Sequence, residues 1–537
     1  MRTYGLALLV AAAGCNQVLG IKDTEKRPDA APPVFTGNMR WAAAKTVNGA
    51  PMGVDVFPIG GEAVDSDPLS LKVGSGFGSN DLSDALYDTT TGEFHFGFTL
   101  AGEPWRLVYK LPNDPVTREI QWTVQTPDIV IPRMTRMGAT PPPDASGYNI
   151  QPTPSASFAL PYVATSGAFT GSFAPTFTTS QISYTLATDA TPINGPLAAP
   201  DPTDWVFASD WSAASSTAMQ LVGWGATTGV SLMAGSLSPV SPTWVTSGLI
   251  GIAPTPVLGS TRDRIRNALG ALASDDANNP YTPYPHMAYG ISPNLEVYGF
   301  VEPPADCGTT SGMPRTDGVD CLSRPAMIPL ADDTAFDPLL RVPRLDTIGI
   351  PNPPVMYARL TIARPIHGVT LTSGIQSLVR APSPPVANEM VDVLSTSIAT
   401  AAMVDQITLD SADLSGTTGP TSPDVEVAAG AMVRTLTFHP RLGADGAPLA
   451  GADDFVITLY QIQNPDTSFA KLHAIRVFHV IDYMTGVKLE GGLLTPGLYV
   501  FSITSRVGLP NASKGDFKTV KYPLGESTAF SRQFIVH

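Results

Sequence analysis

The sequence predicts an all-β protein, a multi-domain string of β-sandwich modules with a β-rich middle region and little helix. Three observations lead there. Proline fills 52 of 537 positions, about twice its usual share, and 15% of residues are charged against about 25% in a typical chain; that balance disfavours long surface helices. Short runs alternate apolar and polar residues at period two, the spacing of a half-buried strand. The hydrophobic fraction of 43% is enough to build real cores, and the length is too great for one, so two to four domains are expected.

The chain opens with Arg2 as a positive n-region and Leu6 to Ala13 as a short apolar run. A bilayer needs roughly 20 apolar residues, so this run is an address rather than a membrane helix. With Ala12-Ala13-Gly14-Cys15 it resembles a bacterial lipoprotein signal, which implies a signal peptide over 1–14 and a lipid on Cys15 as the new terminus. The family favours Leu where Ala12 stands. Ala11-Ala12-Ala13 also fits an ordinary A-x-A cleavage site before Gly14, so simple secretion stays open. Two or three acyl chains on Cys15 would anchor the protein durably, making the membrane its first partner. Asn16 in the position after the cysteine is associated in that family with export to the outer membrane of Gram-negative cells, so an extracytoplasmic, membrane-anchored location is expected. Residues 15–34, with acidic, basic and proline residues, read as a solvated tether.

Proline-rich breaks at Thr140 to Pro143 and Pro382 to Pro385 divide the rest into parts 35–139, 140–385 and 386–537. In the first, Gly53 to Ile59, Glu93 to Phe98 and Trp105 to Tyr109 are expected strands. The run Asp88-Thr89-Thr90-Thr91-Gly92-Glu93-Phe94-His95-Phe96 resembles the D-x-x-G-x-F-x-F turn of carboxypeptidase regulatory-like β-sandwiches, with Asp88 and Gly92 one residue further apart than that pattern. The resemblance implies a structural or adhesive module. The middle part is rich in Ser, Thr, Gly and Pro. A single short helix is expected there, capped by Ser260 with Asp263 three residues on and carrying Ile265, Leu269 and Leu272 on one face. The part could hold one β-domain or two. The last part has expected strands at Arg434 to Phe438, Phe455 to Ile462, Ala474 to Ile481 and Tyr499 to Ile503. Its stretch Leu494-Thr495-Pro496-Gly497-Leu498-Tyr499 is similar to the L-x-P-G-x-Y lead into strand F of fibronectin type III and Ig-like sandwiches. That resemblance implies a tyrosine corner, with the Tyr499 hydroxyl returning to backbone.

A net charge of -15 and the lack of a basic run argue against nucleic acid as a partner. With Cys15 assigned to lipid, Cys307 and Cys321 remain as an even pair in an oxidising compartment, and a disulfide between them is expected, buried free thiols being the alternative. Their spacing lacks the paired CxxC of a zinc site. No HExxH, GxSxG, GxxxxGK[ST] or strand-linked GxGxxG occurs, which disfavours the enzyme families that carry them without excluding a triad assembled from distant residues. His473 and His479 share one face of one expected strand but are six steps, about 20 Å, apart, too far to ligate one metal. His95 falls opposite the Phe94, Phe96 and Phe98 face and is expected to meet solvent. Asp445, Asp453 and Asp454 lie in a glycine-rich loop and could offer hard oxygens to calcium, the single cofactor the sequence suggests; turn chemistry explains them equally well. Trp205, Trp211, Trp224 and Trp244 crowd one stretch and could stack on sugar faces or serve a core. The expected function is that of an extracytoplasmic surface lipoprotein with a non-enzymatic binding, adhesive or structural role, its partners a membrane and a surface glycan or protein. The alternatives are a secreted hydrolase with its active site in the middle part, and a glycan-binding module.

Overall fold

A computed structural model describes residues within 34–57, 71–136, 148–186, 206–252, 286–292, 328–342, 355–380 and 401–537. The described chain is all-β: strands organise into several sheets, and helix among the described residues is confined to one 3-10 turn at Ala512–Lys514. The signal, Cys15, the tether up to Pro33 and the expected helix at 260–272 lie outside the described residues, while Val34 at the tether's end begins a strand.

The N-terminal segment supplies nine strands: β1 (Val34–Val47), β2 (Ala50–Phe57), β3 (Lys72–Gly74), β4 (Ser83–Asp84), β5 (Leu86–Asp88), β6 (Glu93–Thr99), β7 (Trp105–Lys110), β8 (Thr117–Trp122) and β9 (Asp128–Arg136). One sheet has the order β2-β1-β6-β5, with β9 running parallel along β1. Alternation in β6 is realised as expected: Phe94, Phe96 and Phe98 are buried while His95 is exposed. Those rings meet Phe35 and Trp105, the latter's centroid 5.7 Å from that of Phe98, in a core that also holds Leu107, Tyr109 and Ile120. Asp88 and Glu93 pair at the base of the β5–β6 hairpin, and the Thr90 amide donates to Asp88 Oδ1 at 2.8 Å, an Asx turn that accounts for the Asp in this loop.

The middle segment contributes short strands to small sheets, among them Leu160–Thr165, Val206–Ser215, Ala218–Thr227 and Thr243–Val245 in one four-stranded sheet. It also supplies a long hairpin, β10 (Val355–Ile366) and β11 (Val369–Arg380). These strands pair from Val355↔Arg380 to Ile366↔Val369 around a two-residue turn. His367 (φ 47) and Gly368 (φ 83) both take left-handed backbone, as the primed turn that suits hairpin twist requires. A Cβ on Gly368 would lie 2.8 Å from that of Ala470, so the tip is also a point of close approach.

The C-terminal segment holds β12 (Val404–Leu409), β13 (Val425–Val427), β14 (Arg434–Pro440), β15 (Asp454–Gln463), β16 (Lys471–Val480), β17 (Val487–Leu489), β18 (Gly497–Val507), β19 (Leu524–Phe530) and β20 (Phe534–Val536). A small sheet containing β12-β14-β17 packs on one face of β15, β16 and β18, burying Leu436, Phe438, Phe455, Ile457, Leu459, Phe478, Tyr499, Phe501 and Ile503 in a shared core. Each such side chain contributes about 1.5–3 kcal/mol by leaving water. The opposite face of the same strands is covered too. Tyr460, Ile462, Leu472, Leu498 and Val500 meet Ile366, Val369 and Leu371 from the hairpin tip. Strands buried on both faces lose visible alternation, which is why β18 is buried over most of its length.

One ladder links all three segments. Its main path runs from Ile328–Leu330 and His286–Ser292 through β10, β11, β19, β18, β15, β16, β8 and β7 to β3 and β4. The join between termini is a parallel pairing of β8 with β16, from Arg476↔Thr117 to Val480↔Gln121. A second tie follows from the 3-10 turn: the Val130 amide donates to the Gly515 carbonyl (2.9 Å) and the Phe517 amide to that of Val130 (3.0 Å), while Leu509, Ala512, Phe517 and Leu524 enter the N-terminal core.

Candidate functional site

The join carries most of the buried charge among the described residues, distributed on its two faces. On the first face the register aligns Arg106 with Gln121 and Val108 with Glu119 across β7 and β8, and Glu119 with Phe478 across β8 and β16. Arg106, Glu119, Gln121 and Arg476 therefore stand at the rim of the C-terminal core. Arg106 and Glu119 are fully buried, their charged ends 3.5 Å apart. Arg476 reaches Glu119 at 3.3 Å and Glu490 at 3.2 Å, and Arg106 reaches Glu490 at 3.5 Å, so two guanidinium groups interleave with two carboxylates.

Backbone carbonyls take up further donors on the first face. Arg106 Nε donates to the Gly76 carbonyl at 2.6 Å and its terminal nitrogen to that of Gly78 at 3.2 Å, with the Phe77 ring 5.0 Å from the guanidinium carbon. The Gln121 amide donates to Glu119 (2.7 Å) and to the Lys488 carbonyl (2.6 Å), and its oxygen accepts from the Lys488 amide (3.0 Å), which docks β17 as a further ladder rung would. Burial pushes the Glu119 carboxyl above the usual carboxylate range, and the attraction of Arg106 and Arg476 does not fully offset it.

On the second face Asp454, Arg506 and Glu526 lie side by side on β15, β18 and β19. Asp454 Oδ2 is in direct contact with Arg506 and 3.4 Å from His479 Nδ1. The His479 ring sets its edge toward Phe517, 5.8 Å away, tying this cluster to the 3-10 segment. Burial alone would raise the Asp454 carboxyl; Arg506 and His479 outweigh it and hold it below the usual range. A row of hydroxyls continues the polar stripe, Thr504 to Thr528 at 2.8 Å.

The sequence-derived candidates fall as follows. Asp454 is this buried ion-pair partner. Asp453 accepts from the Gly508 and Leu509 amides at 2.7 and 2.9 Å and so fastens the end of β18. Asp445, Cys307, Cys321 and Trp205 lie outside the described residues, and no group of three His, Cys, Asp or Glu among the described residues is arranged to hold a metal. Trp211, Trp224 and Trp244 belong to one sheet, with Trp224 paired to Val245 and Trp244 to Gly225. Tyr499 donates its hydroxyl to the Thr495 carbonyl at 2.9 Å, the return to backbone expected of it. His473 is half-buried and His479 buried, and a β-bulge at Ile475 puts them on opposite faces of β16 rather than on the one face expected. The residues that build the two charged faces, Arg106, Glu119, Arg476, Glu490 and Arg506, carry no local motif. Their one trace in the sequence is a charged residue within an otherwise apolar strand, as in Trp105-Arg106-Leu107.

No family model matches the chain, and no curated protein and no solved structure was found similar to it. No helix among the described residues is long and apolar enough to cross a membrane.

Proposed function

We propose that the chain is an extracytoplasmic β-scaffold held on a membrane through lipid on Cys15, with a structural or adhesive role rather than a catalytic one. The single observation that supports the scaffold is the join of β8 to β16, at which buried charges from distant segments neutralise one another. Arg106 and Glu119 meet Arg476 and Glu490 there, and the fully buried Arg106–Glu119 pair, whose disruption would leave an uncompensated charge inside the join, suits a structural role. Support for the anchor is Arg2, the apolar run to Ala13 and the Gly14-Cys15 step. The proposed location is the outer membrane or cell surface of a Gram-negative bacterium, with a surface glycan or protein as the outward partner.

Metabolic labelling with an alkyne-bearing fatty acid tests the anchor. Label on the wild-type chain, lost in Cys15→Ala together with release from the membrane fraction, is the expected result. An unlabelled wild-type chain, or a Cys15→Ala chain that stays with the membrane unchanged, would overturn it.

A further inference from the structure

The turn joining β10 to β11 places a histidine between two carboxylates donated by different parts of the C-terminal segment. His367 Nδ1 is 3.0 Å from an oxygen of Asp466, in the loop between β15 and β16, and Nε2 is 3.2 Å from Asp424, immediately before β13. The Asp466 amide also donates to the His367 carbonyl at 2.8 Å. A neutral imidazole has one N–H and can donate to one carboxylate; only the imidazolium donates from both nitrogens at once. A single metal ion cannot take the place of the proton, because the two carboxylates sit at opposite ring nitrogens and do not converge.

We infer that His367 is a proton-dependent latch: as imidazolium it ties the β10–β11 hairpin tip to both the 464–470 loop and the lead into β13, and loss of its proton releases one tie. The hairpin is a lever, since β11 continues into the main ladder through β19 and its tip residues Ile366, Val369 and Leu371 cover the back of the C-terminal sandwich. Among the described residues, Asp466 and Asp424 are the charged groups acting on the ring. Burial works against its charge, but hydrogen bonds and attraction from both carboxylates win and raise its affinity for a proton. The sign follows. The folded value exceeds the unfolded one, so the latch is fully engaged below about pH 6.5 and lost as pH rises through the folded value.

Hydrogen exchange of the full chain, corrected for intrinsic rates and followed from about pH 5.5 to about pH 9, reads the latch directly at the hairpin tip and the 464–470 loop. Protection there is expected to fall roughly threefold to tenfold as pH rises through the folded value, a modest effect because the ring is partly solvated. His367→Asn, which tolerates the left-handed turn, is expected to be flat across the range, and Asp424→Asn to shift the loss to lower pH. A flat wild-type profile, or the same pH dependence in His367→Asn, would overturn the latch. Should His367→Asn fail to fold, judged by protection of 499–503, an unmoved midpoint in Asp424→Asn would do so instead.

Discussion

The two faces of the terminal join each bury a carboxylate completely, yet the two acids are displaced in opposite directions. Glu119 is pushed up and Asp454 is held down. Desolvation is the largest influence on both, so the difference lies in their partners. Glu119 has its arginines at 3.3 and 3.5 Å and shares both with Glu490, whereas Asp454 touches Arg506 directly and has His479 beside it. Full burial does not decide the charge state of a carboxylate; the closeness of its cations and the competition for them do. One face shares its cations between two acids, and the other sets a cation in direct contact with one.

Removing the hub of the first face should have the largest effect. Arg106→Ala takes from Glu119 and Glu490 one of the two arginines they share and leaves the Gly76 and Gly78 carbonyls without this donor, and a loss of about 3–5 kcal/mol is expected in urea unfolding. A loss under about 1 kcal/mol would mean that these pairs do not hold the join. Neutralising each acid sharpens the contrast. Asp454→Asn should cost about 2–3 kcal/mol near neutral pH, against about 1–2 kcal/mol for Glu119→Gln. The two should also respond oppositely to pH. The ionised Asp454 contributes stability fully above about pH 3.9, lost as pH falls through its lower folded value, so the cost of its replacement shrinks in acid. Glu119 binds its proton more tightly when folded, so the native state loses stability as pH rises from about 4.3 toward its folded value, and the cost of Glu119→Gln shrinks over that same rise. Parallel pH profiles for the two variants would refute the assignment. The smallest effect belongs to a site remote from either face: Tyr499→Phe loses the hydroxyl bond to Thr495 and should cost about 1 kcal/mol, independent of pH between about 4 and 8.

Local pattern carried much of the fold into view. The expected strands at Glu93 to Phe98, Trp105 to Tyr109, Arg434 to Phe438 and Phe455 to Ile462 lie within β6, β7, β14 and β15, because side-chain alternation and β-branched or aromatic content are properties of neighbouring residues. Tyr499 was legible for the same reason, its hydroxyl and the Thr495 carbonyl being four residues apart. The hidden part is non-local. Thr117–Trp122 sets Arg118 in line with Ile120 and Trp122 and puts Thr117, Glu119 and Gln121 opposite, so its apolar face is only two residues long, and its parallel partner lies far along the chain. Partners so far apart leave no mark on local periodicity. Asp453 and Asp454 illustrate the same limit: their composition suits a calcium loop, and Arg506 and the Gly508 amide, which claim them, are more than fifty residues away.

Hydrogen exchange across a urea series is the most direct measurement of whether the two terminal segments form one cooperative body through the β8–β16 join. Peptides from 105–122 and from 454–507 are expected to lose protection at the same denaturant concentration in the wild-type chain. Release of 105–122 at clearly lower urea, with 454–507 still fully protected, would show that the N-terminal strands merely lie against the C-terminal sandwich.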